Sequence, residues 1–151
     1  MTIQKITPFL WFDGQAEEAA RFYTSIFPNS KILNVVRQGG GESSPVMTVQ
    51  FELEGLRFVG LNGGPHFKFT EAVSFVVNCK DQDEVDFYWE RLSAGGAESQ
   101  CGWLKDKFGL SWQIVPTILP ELLSGPKAGS VMQALMTMVK LDIKALQAAA
   151  D

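Results

Sequence analysis

Histidine is almost missing from this chain. Of 151 residues only His66 carries an imidazole. A zinc site of two His and two Cys is therefore impossible within one chain, and so is a two-His-one-carboxylate iron site. Two-fold pairing would still give each of two equivalent sites one His66. Cysteine is nearly as scarce: Cys79 and Cys101 form no CxxC pair, and such usage suits a reducing cytoplasm in which both stay thiols. Charge is sparse at 20%, the net charge is −4, and there is no basic run, which excludes nucleic acid and an anionic membrane as partners. No apolar run approaches the ~18–20 residues that span a bilayer. Met1-Thr2-Ile3-Gln4-Lys5 leads straight into a strand-like segment, so no cleavable leader is expected. What is plentiful is core material: 46% apolar residues, with eleven Phe and four Trp. The expectation is one soluble, cytoplasmic domain over residues 1–151.

The apolar and aromatic segment Ile3–Phe12, closed by Asp13-Gly14, predicts a strand. Ala19, Phe22, Tyr23, Ile26 and Phe27 follow helical spacing, and Pro28-Asn29 ends that helix. Lys31–Arg37 predicts a strand, residues 38–45 a Gly- and Ser-rich loop, and 46–62 a hairpin turning at Glu54-Gly55. In its first arm Met47, Val49, Phe51 and Leu53 alternate with Thr48, Gln50 and Glu52. The first half therefore reads β-α-β-β-β.

The second half repeats it. Ala72–Cys79 predicts a strand, and Asp81 with Glu84 opens a helix whose apolar face is Val85, Tyr88, Trp89 and Leu92, stopped by Gly95-Gly96. Short strands follow at Ala97–Cys101, Trp103–Asp106 and Ser111–Val115. An offset of 66 residues carries Ala19, Phe22, Tyr23 and Ile26 onto Val85, Tyr88, Trp89 and Leu92. The fold class is thus α+β: two tandem βαβββ modules, about 3–64 and 70–116, with a C-terminal helical segment over about 117–150. In that segment Ser130 and Gln133 predict a helix bearing Val131, Met132, Leu135, Met136, Met138 and Val139, and Asp142 opens a shorter one. The first of these is apolar on most sides, so it packs on its own domain or forms a dimer interface.

If each module's helix shields one face of its sheet, the other face is free for a ligand. Side-chain alternation then sets Thr7, Phe9, Trp11, Thr48, Gln50, Asn62 and Gln113 around a cavity, with His66 at its rim and Trp103 placed to stack. Amides, hydroxyls and aromatics suit a small, weakly polar organic molecule.

Cys101-Gly102-Trp103-Leu104-Lys105-Asp106-Lys107-Phe108-Gly109-Leu110-Ser111-Trp112-Gln113-Ile114-Val115-Pro116 resembles the closing hairpin of PhnB-like proteins, and Pro8–Phe12 and Ala16–Tyr23 resemble their opening. That group sits in the vicinal-oxygen-chelate superfamily with glyoxalase I, bleomycin-resistance proteins and extradiol dioxygenases. The resemblance, over residues 3 to about 146, implies a half-open barrel around a pocket and a homodimer. Superfamily enzymes hold a divalent metal with His and Glu on four strands. The corresponding positions here fall at or near Thr7, Asn62, Ala72 or Ser74, and Gln113. Neutral Asn and Gln supply no charge, so no metal and no other cofactor is expected. The expected role is metal-independent binding or sequestration of a small organic molecule, or a reaction needing no metal. The alternative is a metal-dependent lyase or dioxygenase.

Two other constellations are weaker. Some relatives carry a ubiquinone-pathway methyltransferase label, but Gly39-Gly40-Gly41 leads into a strand, whereas a nucleotide-type glycine loop must open a helix. Cys101 with His66 as its base would form a nucleophilic pair only if the fold joined them.

Overall fold

A computed structural model describes residues 3–151; Met1 and Thr2, which begin the segment read for a leader, lie outside the described residues. The chain divides into two compact units between Lys68 and Phe69, inside the connection expected between the modules. Among the described residues, no helix is long and apolar enough to cross a membrane.

The first unit runs β1 (Phe9–Phe12), α1 (Ala16–Ile26), β2 (Lys31–Arg37), a 3-10 turn (Gln38–Gly40), β3 (Val46–Leu53) and β4 (Leu56–Asn62). Its sheet order is β1-β4-β3-β2, with β1 parallel to β4 and the other pairs antiparallel. Val49, Phe51 and Leu53 are buried, as is Phe58 of β4, and they share the side of α1's Ala19, Ala20, Tyr23 and Ile26. The Phe51 and Phe58 rings stack 5.3 Å apart. Small residues let the helix sit close: a Cβ on Gly60 would lie 3.3 Å from the Ala16 Cβ. Each large side chain so buried stabilises the unit by about 1.5–3 kcal/mol.

The second unit repeats the order as β5 (Ser74–Cys79), α2 (Gln82–Ser93), β6 (Ala97–Glu98), β7 (Trp103–Lys105) and β8 (Ser111–Pro116), arranged β5-β8-β7-β6 with β5 parallel to β8. Val85, Tyr88, Trp89 and Leu92 of α2 are buried with Leu104, Trp112 and Ile114. The Asp81 carboxylate accepts from the Glu84 amide, and Glu84 in turn accepts from the Lys80 amide, so both N-terminal donors are met. The expected pair of βαβββ modules is therefore present, as two four-stranded sheets, neither of them closed.

Several expectations need correction. The first strand starts at Phe9, not Ile3. Ile3 and Ile6 are 92% and 83% exposed, so no core holds this apolar stretch in a strand. Gln4 instead pairs through its carboxamide, donating to the Arg57 carbonyl and accepting the Arg57 amide. The strand expected from Ala72 starts at Ser74, and that expected over Ala97–Cys101 is two residues long.

At the C-terminus α3 (Ile118–Leu123) was not foreseen as a separate helix, while α4 (Ala128–Leu135) starts earlier than expected, without a Ser130 cap, and ends before Met136. α5 (Ile143–Ala149) is capped by Asp142, which accepts from the Ala145 amide. Leu119, Val131, Leu135, Leu141 and Leu146 form a core of their own. The apolar stripe read from the sequence is thus split: Val131 and Leu135 face this core, while Met132, Met136 and Val139 are exposed.

Candidate functional site

In the first unit, cross-strand register fixes which side chains lie opposite α1. Phe9, Val59 and Gln50 form one row across β1, β4 and β3, and Trp11, Leu61 and Thr48 another. Of the expected cavity residues, Phe9, Trp11, Thr48 and Gln50 therefore do share the helix-free face. Thr7 lies just before β1, its hydroxyl donating to the Gln4 carbonyl.

Asn62 does not share that face. It shares the parity of Phe58 and Gly60, so it points to the helix side. Its Oδ1 accepts the Ala16 amide at 2.8 Å and its Nδ2 donates to the Val46 carbonyl at 3.1 Å. Gln15, the residue before α1, offers no side-chain cap, so Asn62 does from β4 what an N-cap residue does locally. The helix-free position beside it is Leu61, which has no donor for a metal.

Trp11 is committed to the loop after β4. Its Nε1 donates to the Gly64 carbonyl at 2.9 Å, and its ring meets Phe67 edge-on with centroids 4.9 Å apart. Gly63 packs so tightly beneath the indole that a Cβ would come within 2.3 Å of it. His66 is exposed within this loop.

In the second unit, the face opposite α2 carries two cross-strand rows. Trp103, Gln113 and Val76 form one; Lys105, Ser111 and Ser74 form the other. Gln113 donates from Nε2 to the Ser74 hydroxyl at 3.0 Å. Two of the positions at which superfamily enzymes would carry ligands are thus bonded to each other. Among the described residues, no three His, Cys, Asp or Glu side chains are grouped so as to hold a metal ion. A divalent transition metal needs anionic or imidazole donors, so this donor set does not fit one.

A cavity of about 590 Å³ opens on this unit, lined by residues that include Glu71, Gln100, Cys101, Trp103, Lys105 and Ser111. Ser111 is 1% exposed, and its hydroxyl has no hydrogen-bond partner. A buried, unpaired hydroxyl costs about 1–3 kcal/mol, so its presence in a cavity wall marks a place where a ligand atom would be welcome. Lys105 reaches from β7, past the strand carrying Ser111, to pair with Glu71 ahead of β5. Hydrogen bonding to that ammonium holds the Glu71 carboxyl below its ordinary pKa.

The wall is braced from two directions. Asp106, 2% exposed, accepts the Phe108 and Leu110 amides at Oδ1 and the Trp112 indole at Oδ2, which fixes the turn joining Lys105 to Ser111. Cys101 sits at φ 59°, and the amides of Cys101 and Gly102 donate to the carbonyls of Met138 and Val139, each at 2.8 Å. Burial, with the nearby Glu84 and Asp81 carboxylates, pushes the Cys79 thiol up to about 12, so it stays protonated and inert. Cys101 has no imidazole in its own unit, because His66 belongs to the other.

Sequence reasoning missed Lys105 and Glu71 as site residues; alternation in the last strand does set Ser111 on the inner face with Gln113, though not as a lining residue. The first was legible: Trp103 and Lys105 flank buried Leu104, so they share a face.

Two units of like topology, each with one parallel and two antiparallel pairings, have the architecture of the vicinal-oxygen-chelate superfamily. A glyoxylase/bleomycin resistance protein/dioxygenase domain from Frankia sp. EAN1pec is similar at TM-score 0.50 and 22% identity, over 76% of this chain and 93% of that one. The fosfomycin resistance protein FosX from Listeria monocytogenes, complexed with Mn(II) and sulfate, is similar at TM-score 0.56 and 18% identity, over 82% and 98%. At those identities the likeness concerns the fold.

Within the superfamily the chain belongs to the PhnB-like family. A family model described as 3-demethylubiquinone-9 3-methyltransferase matches residues 4–115. The PhnB protein from Bacillus cereus is 37% identical, with TM-score 0.69, over 76% of this chain and 100% of that one. No curated protein matches the sequence.

Proposed function

We propose that this chain is a metal-independent small-molecule binding protein whose ligand site is the cavity beside Ser111. The observation that carries this reading is an unpartnered, buried hydroxyl in the wall of a cavity of about 590 Å³. That volume lies within the usual ~300–1,000 Å³ of ligand pockets. Trp103 offers an aromatic face, and Ser111 and Lys105 offer polar anchors. Cys101 also lines the cavity, but its unit holds no imidazole to serve it as a base, so binding is favoured over turnover. A thermal-shift screen with aromatic and dicarbonyl metabolites tests it: a ligand at 100 times its dissociation constant adds ~2.7 kcal/mol. No shift from any compound, with Ser111→Ala equally inert, would sink the proposal.

The rival reading, a metal-dependent lyase or dioxygenase, draws on the manganese in a FosX relative. Metal analysis of protein purified without a histidine tag decides between them, because stoichiometric nickel, zinc, iron or manganese would favour the rival. The methyltransferase description draws no support from Gly39–Gly41, which joins antiparallel β2 and β3 and opens no helix.

The chain is further proposed to be cytoplasmic, where both free thiols stay reduced. It is also proposed to pair as a homodimer that covers the exposed Met132, Met136 and Val139. Light scattering would then return twice the 16.7 kDa chain mass.

A further inference from the structure

The geometry points to an organic anion as the ligand of this cavity, bound by Lys105 and Ser111 in place of Glu71. This rests on the binding reading above and adds the chemical class. Lys105 is anchored in the middle of a sheet, cross-strand from Ser111, with its side chain 43% exposed. Glu71 precedes β5, outside any strand, with its side chain 61% exposed. Of the two partners, the carboxylate, tied otherwise only to its own backbone amide, is the one carried on a segment outside the sheet.

An exposed ion pair of this kind is held weakly, because water and salt screen it. Once Glu71 leaves, an ammonium and a hydroxyl face the cavity together. Lysine has donors only, and a serine with no other partner can donate its proton. Two convergent donors match the two oxygens of a carboxylate, and Trp103 on the same strand as Lys105 offers a planar group a stacking surface. The other charged group of the wall, Glu98, lies on the opposite parity of β6, where its carboxylate accepts the Trp89 indole. It is thereby tied toward α2. Glu71 is thus a built-in stand-in for the ligand's own anionic group.

The test follows the indole N–H resonance of Trp103, assigned with Trp103→Phe, during titration with benzoate and with its neutral counterpart benzamide. Benzoate should move the resonance and benzamide should bind at least about tenfold more weakly, since one charge-assisted contact is worth about that much. Glu71→Gln should tighten benzoate by about two- to fivefold, the span an exposed ion pair represents. Lys105→Met should abolish the preference for benzoate over benzamide, and Ser111→Ala should weaken benzoate by about tenfold. Equal binding of benzoate and benzamide overturns the anion inference and leaves the pocket reading standing. Weaker or unchanged benzoate binding in Glu71→Gln overturns the stand-in role. No perturbation by either compound at millimolar concentration overturns both the inference and the pocket reading.

Discussion

Replacing Asp106 should cost more than any surface change nearby, because its carboxylate is the hub of the turn between Lys105 and Ser111. Asp106→Ala leaves three donors without their acceptor: the Phe108 and Leu110 amides and the Trp112 indole. Phe108 is only half-buried and can recruit water, whereas Leu110 and Trp112 are 2% and 3% exposed and cannot. Each unpaired buried donor costs about 1–3 kcal/mol, so the loss should be about 3–4 kcal/mol, a large share of the ~5–15 kcal/mol typical of a whole domain. For a chain of this length that lowers the melting temperature by about 6–16 °C. Asp106→Asn should fall between. Its amide oxygen can still serve the two backbone donors, but its NH2 then faces the Trp112 N–H, donor against donor. Adding Trp112→Phe removes that conflict, so the pair should show a coupling energy in urea unfolding followed by far-UV circular dichroism. A loss below about 1 kcal/mol in Asp106→Ala would refute the claim that this carboxylate organises the hairpin.

Other outcomes follow from single contacts. Asn62→Ala should destabilise the chain by about 1–2 kcal/mol, the usual cost of a lost cap, measured by urea unfolding, with no change in metal content. Gly63→Ala should displace Trp11 from its loop, since the new methyl would sit 2.3 Å from the indole, and a red-shifted tryptophan emission would report it. Iodoacetamide at pH 8 should label Cys101 in the folded protein and spare Cys79, as peptide mass mapping will show. Because the Cys79 thiol ionises near 9 when unfolded and near 12 when folded, its contribution to stability is complete below pH 9 and is lost as the pH climbs from 9 toward 12. A Cys79→Ala variant should show a shallower alkaline decline in urea midpoints.

The sequence was most readable where burial enforces a period. β2 and β4 fall at their expected bounds, and the offset of 66 between the two helix faces reappears as the same strand order in both sheets. It misled where apolar residues lack a core to meet, as at Ile3 and Ile6, which extend the apolar run before β1 yet face solvent. Asn62 was misplaced although Phe58 and Gly60, four and two positions back, already assigned its parity to the helix side. Its partner, the Ala16 amide, lies 46 residues away and leaves no local mark. α3 falls inside the helical segment expected over about 117–150, but no capping side chain marks it out as a separate helix. The bare hydroxyl of Ser111 could not be foreseen, because lacking a partner is a property of the packed molecule.

The tether from Met138 and Val139 to Cys101 and Gly102 has a consequence for inheritance. The family match stops at residue 115, and the Bacillus cereus protein is spent at full length on three-quarters of this chain. One wall of the cavity is therefore held by a stretch that the shared ancestry of residues 4–115 does not account for. Relatives with the same sheet but another tail, or none, would hold that wall differently, and the proposed site would differ in shape with it. Cutting the chain after Pro116 would remove the brace with the tail, and grafting a foreign tail would be a way to retune what the cavity accepts.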